Sequence, residues 1–146
     1  MLQMNFPLNI EDSYDSIVNF LDKYYQTTKS DDAGSLLGCM MLIEHNSTFD
    51  AAIWEDWFDA LHFIKPNEIL DLEKTKLTIE EAYGSMIKFL EIYCSMGAED
   101  NFVEFVASLK NKTSTILTWQ DWLNSVEEVT THSPRIRPYL VLGPIE

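Results

Sequence analysis

The sequence contains IEDSYDSIVNFLDKYY at residues 10–25 and a second version of it, IEEAYGSMIKFLEIYC, at residues 79–94. Seven of the sixteen positions are identical at an offset of 69 residues. A later pair, WEDWFDAL at 54–61 and WQDWLNSV at 119–126, matches at an offset of 65. The second copy therefore lacks four residues, most simply in the loop before its tryptophan helix. Repetition on this scale indicates a fold built from two diverged copies of one unit.

Each copy contains three stretches with helical periodicity. Further stretches in the first copy lie at about 31–43 and about 50–64. In its first stretch, apolar residues recur every three or four positions and form one face: Tyr14, Ile17, Val18, Leu21 and Tyr24. We predict an all-α fold in which two tandem three-helix units form one compact helical domain. A chain of this length can bury roughly 70% of its unfolded surface in one core.

Helix caps help to set the boundaries of the two units. Asn9 and Thr78 occupy the same repeat position, and Thr78 opens a capping-box sequence. Asp50 and Thr115 match at the offset of 65 and are predicted to cap the third helices. Pro66 should end the helix before it. The predicted segments are unit one at about 9–64, a linker at about 65–77, unit two at about 78–129 and an extended tail at about 130–146.

Strand signals are weak along the whole chain. The run RIRPYLVLGPIE at 135–146 is the only β-like stretch, and Pro138 and Pro144 limit it to an extended or edge conformation. We interpret it as a tail laid across the helices.

The cysteines and the N-terminal sequence indicate the cellular compartment of the protein. Cys39 and Cys94 lie far apart in apolar stretches, which is typical of buried, reduced thiols rather than a disulfide framework. The first twelve residues have no basic start and no unbroken apolar run, so we expect neither a secretory signal nor a membrane anchor. These features predict a cytosolic protein.

The chain is strongly acidic, with 24 acidic and 10 basic residues and a formal net charge of −14. This balance argues against nucleic acid or an anionic membrane as a partner, because both require a positive surface. Residues 1–64 carry eleven acids and two bases, whereas the remainder carries thirteen acids and eight bases. A basic partner would therefore meet the first half, although acidity can also serve solubility alone.

No catalytic constellation is recognisable. The three histidines are isolated, and no metal-binding, Walker, dinucleotide or nucleophile-elbow motif occurs. Paired carboxylates such as Asp31 with Asp32, or Asp56 with Asp59, have the chemistry of an acid and a base. They lie on predicted solvent faces, where a solvated helix surface is the simpler interpretation. We predict no enzyme activity, no cofactor and no metal.

The tryptophans lie on the apolar stripes of the third helices, so a core role is the default and a ligand cage is the alternative. They are Trp54, Trp57, Trp119 and Trp122. An aspartate stands between the two tryptophans in both copies, at Asp56 and Asp121. It either meets a partner or pairs within the fold.

Part of the first copy resembles a known family. FLDKYYQTTKSDDAGSLLG at 20–38, followed by a short polar loop and FDAAIWEDWFDAL at 49–61, is similar to bacterial immunity proteins encoded beside the toxins of contact-dependent growth inhibition and related polymorphic toxin systems. The similarity covers most of residues 10–64 and returns in weakened form in 79–126. The second copy departs from the pattern, with Thr115 in place of Asp50 and Asn101 in place of Asp32.

The resemblance implies a cytosolic protein that binds a toxin domain delivered by a neighbouring cell and covers or distorts its active site. Such toxin domains are often nucleases with basic clefts, which a carboxylate-rich helical surface can occupy. A helical adaptor without a toxin partner and an uncharacterised enzyme are the alternatives. We predict that the partner meets the acids of the first unit: Asp31, Asp32, Asp50, Glu55, Asp56 and Asp59.

Overall fold

Helices form most of the described chain. The structure, a computed structural model, describes residues 6–40, 42–43, 47–48 and 51–131. The prediction of an all-α, compact helical domain is confirmed. The described residues form six helices: α1 Ile10–Thr28, α2 Asp31–Met40, α3 Ala51–Ile64, α4 Ile79–Ser95, α5 Asp100–Lys110 and α6 Trp119–Thr131.

In the same part of the chain, four two-residue strands accompany the helices: β1 Leu8–Asn9, β2 Leu42–Ile43, β3 Ser47–Thr48 and β4 Lys76–Leu77. The sequence did not predict them, because two residues are too short to show an alternating pattern. β1 pairs antiparallel with β4, and Leu8 lies opposite Leu77. These two leucines occupy the same repeat position, 69 residues apart. A local two-fold axis therefore passes between equivalent residues of the two copies.

The copies exchange their third helices. α1 packs against α2 of its own copy and against α6 of the other, while α4 packs against α5 and α3. Each first helix thus lies between a second helix from its own copy and a third helix from its neighbour. The single apolar core consequently draws on both copies at once.

Equivalent tyrosines of the two first helices form hydrogen bonds to the C-terminal parts of the second helices. The hydroxyl of Tyr14 donates to the carbonyl of Met40, and that of Tyr83 donates to the carbonyl of Leu109 at 2.7 Å. Both bonds join residues 26 apart, at matching repeat positions. Among the tryptophans, Trp57 and Trp122 are fully buried, as predicted, whereas Trp54 and Trp119 are only partly buried.

The first helices start where the caps predict. The Asn9 side-chain oxygen accepts from the Asp12 amide at 2.7 Å. Thr78 and Glu81 form the reciprocal capping box, with both bonds at 2.9 Å. α3 ends at Ile64, two residues before Pro66, in agreement with the prediction.

The cap predicted at Thr115 is wrong, because α6 begins four residues later. Thr118 caps it: the Thr118 hydroxyl accepts from the Asp121 amide at 3.3 Å, and the Asp121 carboxylate accepts from the Thr118 amide at 2.7 Å. Asp121 therefore pairs within the fold. The cap predicted at Asp50 lies outside the described residues.

Two further boundaries differ from expectation. α2 ends at Met40 rather than near residue 43, because Leu42 and Ile43 pair with β3. α6 continues to Thr131, and the rest of the predicted tail, 132–146, lies outside the described residues. The two cysteines, Cys39 and Cys94, are free thiols, half-buried rather than fully buried. Burial raises the pKa of the Cys94 thiol above its usual value, with a smaller contribution from the nearby Asp32 charge.

Candidate functional site

The acids predicted to bind a partner fall into two groups. Asp31 and Asp32 lie in the first turn of α2. Glu55, Asp56 and Asp59 lie on α3, the helix that packs against α4. The remaining predicted residue, Asp50, is outside the described part of the chain.

Asp32 is engaged within the fold. One carboxylate oxygen accepts from the Tyr93 hydroxyl at 3.0 Å, and the other accepts from the Glu99 amide at 2.9 Å. Burial raises the pKa of Tyr93 to about 12, and its bond to Asp32 adds to the effect. Asp32 thereby ties the start of α2 to the turn between α4 and α5. This structural role was not visible in the sequence, because the bonds span 61 and 67 residues.

Asp31 remains on the surface beside this contact. It is exposed, and no hydrogen bond or ion pair joins its side chain to any other residue that the structure describes. The Asp32 contacts bring the exposed residues Glu99 and Asp100 of the second copy to the same end of the molecule. Acids of both copies therefore meet at the start of α2.

The outer face of α3 holds the second group. The core face of the helix buries Ile53, Trp57, Ala60 and Leu61. Helical geometry then directs Glu55 and Asp59 to the opposite side, where both are exposed. Within the described ranges, neither carboxylate makes an ion pair. Asp56 is half-buried at the edge of this face.

The second copy provides an internal comparison for this face. At the offset of 65, Glu55 corresponds to Gln120 and Asp59 to Asn124. The Gln120 amide donates to the Asn124 side-chain oxygen at 3.1 Å. The same helix surface thus exists with neutral amides, so the fold does not require carboxylates at these positions.

Among the residues that the structure describes, four lysines pair with acids of the linker or of the second copy. Lys65 forms ion pairs with two of these acids, and each of the other three lysines pairs with one. The nitrogen–oxygen distances are 3.4 Å for Lys23–Glu128, 3.4 Å for Lys65–Glu68, 3.3 Å for Lys65–Glu81, 3.1 Å for Lys110–Glu91 and 3.0 Å for Lys112–Glu80. These lysines offset negative charge away from the outer face of α3.

Phe63, in the last turn of α3, was not identified from the sequence. Its side chain is 63% exposed, and the Lys88 ammonium lies 4.4 Å from the ring centroid. A comparison of the two copies of the repeat could have identified it. The equivalent residue of the second copy is the charged Glu128.

A pocket of about 260 Å³, lined by described residues, lies beside the start of α6. The Lys112 ammonium stands 4.4 Å from the Trp119 ring and pairs with Glu80 at the same place. The lining residues are Tyr83, Lys112, Ser114, Leu117, Thr118, Trp119 and Gln120, so none of the predicted acids contributes. In the described ranges, no group of three or more histidine, cysteine, aspartate or glutamate side chains is placed to hold a metal ion.

None of the described helices is long and apolar enough to cross a bilayer. Comparison with protein-family models, with curated proteins and with solved structures finds no match to this chain.

Proposed function

We propose that the protein is an immunity protein that binds and neutralises a cognate toxin domain through the acidic outer face of α3. The toxin domain would be of the nuclease type, with a basic cleft built to hold phosphates. The resemblance of residues 10–64 to such immunity proteins supports this function, as does the net charge of −14. A basic partner is the class of protein that such a surface attracts.

The difference between the two third helices carries the proposal. Glu55 and Asp59 stand where the second copy has Gln120 and Asn124. Since the fold accepts amides at these positions, the carboxylates of α3 are not explained by folding. Two like charges on one helix face repel weakly, and a cation on a bound partner would relieve that repulsion.

Electrostatic attraction would act mainly on the rate of encounter. Complementary charge can raise association rate constants to about 10⁸ M⁻¹s⁻¹ at low salt, against roughly 10⁵–10⁶ M⁻¹s⁻¹ without it. The carboxylates would then take the places of substrate phosphates in the cleft. Inhibition of this kind needs no catalytic residue in the immunity protein.

The test uses the protein encoded by the reading frame immediately upstream of this chain, which the proposal expects to contain the toxin domain. Co-expression of the full chain should restore growth to cells that produce the toxin domain, and the purified proteins should bind. Failure of the wild-type chain both to bind and to restore growth would reject the toxin function and favour the helical adaptor. An enzyme would instead show substrate turnover that carboxylate replacement abolishes.

A charge-neutralised variant tests the binding face. Glu55→Gln with Asp59→Asn copies the second unit and should slow association about fivefold to tenfold while flattening its salt dependence. The matched control is Glu104→Gln with Glu127→Gln, which removes the same charge from exposed residues of α5 and α6. A control that slows association more than the α3 variant would show that the face is wrongly assigned.

A further inference from the structure

Phe63 is an unusual residue for its position. Its ring is 63% exposed at the end of α3, so it contributes little to the core. The equivalent residue in α6, Glu128, forms an ion pair with Lys23 at 3.4 Å. The fold therefore accommodates a charged side chain at this position, and the first copy places a large apolar one there instead.

The neighbours of Phe63 make it part of the acidic face. Asp56, Asp59 and Phe63 follow one another at spacings of three and four residues, so they line one side of α3. The stripe is about 10 Å long at 1.5 Å per residue. An exposed carboxylate, Asp59, one turn from an exposed apolar ring matches a partner surface on which an apolar pocket lies beside a cation.

Lys88 restricts the ring. Its ammonium lies 4.4 Å from the Phe63 centroid, on one face of the ring, and the cation–π attraction favours that orientation. A side chain already held in one orientation loses less conformational entropy on binding. The exposed surface of the ring is therefore on its opposite face and at its edge.

We propose that Phe63 is the apolar anchor of the interface and inserts into a pocket on the basic surface of the toxin domain. This inference rests on the proposed function and adds the residue that holds the complex together. Aromatic side chains dominate the energy of many interfaces, where surrounding polar contacts exclude water from them. Asp59, one turn before Phe63, supplies such a surrounding contact to a partner cation.

The anchor and the acids should affect different rate constants. Long-range attraction acts before contact and raises the association rate, whereas a buried ring acts after contact and slows dissociation. The Phe63→Ala variant of the full chain should therefore dissociate about 30-fold faster or more from the purified adjacent-frame toxin domain. Its association rate and its salt dependence should stay within about twofold of the wild-type values.

Two further variants complete the experiment. Met96→Ala is the matched control, because Met96 is 66% exposed at the end of α4 and should leave dissociation unchanged. Phe63→Leu keeps an apolar side chain and should give an intermediate rate. Thermal unfolding of each variant checks that the fold is intact.

The outcomes separate the two proposals. A wild-type chain that binds while Phe63→Ala dissociates at the same rate overturns the anchor and leaves the immunity function standing. If Met96→Ala dissociates faster than Phe63→Ala, Phe63 is not the anchor. The apolar contact with the toxin domain would then lie at the α4–α5 end of the molecule. A wild-type chain that does not bind overturns both.

Discussion

The indole ring of Trp57 packs edge-on against the ring of Phe89, with their centroids 6.1 Å apart and their planes at 83°. The other copy repeats the contact between Trp122 and Phe20, at 5.7 Å and 88°. Each pair joins the third helix of one copy to the first helix of the other. Each buried tryptophan therefore contributes to the packing between the two copies, which share one hydrophobic core.

Emptying either tryptophan site should destabilise the whole domain. Trp57 is fully buried, so Trp57→Ala should lower the free energy of unfolding by roughly 3–5 kcal/mol. Trp122→Ala should cost a similar amount, because Trp122 occupies the equivalent site. Urea denaturation followed by circular dichroism measures both. A loss below about 1 kcal/mol in either variant would contradict the shared core.

The two indole nitrogens should be distinguished by a milder substitution. The Trp122 Nε1 group donates to the Ile79 carbonyl at 3.3 Å, whereas the buried Trp57 Nε1 has no hydrogen-bond acceptor among the described residues. Phenylalanine removes a satisfied donor at 122 and an unsatisfied one at 57. Trp122→Phe should therefore cost about 1 kcal/mol more than Trp57→Phe in denaturant unfolding. The reverse order would show that Trp57 has an acceptor.

The sequence predicted the number and type of the helices but not how they exchange between copies. Periodicity identifies the face of a helix that is apolar, as it does for α3 around Trp57. It does not identify the helix that covers this face, because α4 and α1 present nearly the same residues. The exchange of α3 and α6 follows from tertiary packing between distant segments.

The candidate site was predictable only in part. The exposed positions of Glu55 and Asp59 follow from helical spacing, and the structure places both on the surface. The internal role of Asp32 was not predictable, because its donors, Tyr93 and Glu99, are distant in sequence. The sequence did not identify Phe63 as a surface residue, because an apolar residue next to an apolar stripe is normally assigned to the core.

Asp32 should contribute to stability, whereas its neighbour Asp31 should not. Asp32→Ala removes the acceptor of two hydrogen bonds and should cost about 1.5–3 kcal/mol. Asp31→Ala, the control, should stay within about 0.5 kcal/mol of the wild-type value. A double-mutant cycle of Asp32→Ala with Tyr93→Phe should show a coupling energy of at least about 0.5 kcal/mol. Additive effects would mean that the Tyr93 contact contributes nothing.

Stability should fall at high pH because buried phenols resist ionisation. Burial raises the pKa of Tyr83 from 10.0 to about 12. The unfolded chain loses this proton at about pH 10 and the folded chain near pH 12. The stabilisation is therefore complete below pH 10 and is lost between pH 10 and 12.

Tyr83→Phe supplies the control for this dependence. Removing one titrating group should flatten the decline of the free energy of unfolding by up to about 1.4 kcal/mol per pH unit between pH 10 and 12. The variant should also be less stable at neutral pH, since the Tyr83 hydroxyl donates to the Leu109 carbonyl. An unchanged slope in urea titrations across this pH range would show that Tyr83 ionises normally in the folded state.

Charge on the outer face of α3 should matter for binding and not for folding. Glu55→Gln with Asp59→Asn should keep the free energy of unfolding within about 0.5 kcal/mol of the wild-type value, because the second copy already carries the corresponding amides and surface substitutions are usually this mild. Lowering the negative charge of a chain at −14 acts, if anything, in the stabilising direction. Differential scanning calorimetry at low and high salt measures the effect, which should stay within about 2 °C at the thermal midpoint. A larger fall would mean that these carboxylates support the fold, which would remove the main reason for assigning them to a partner.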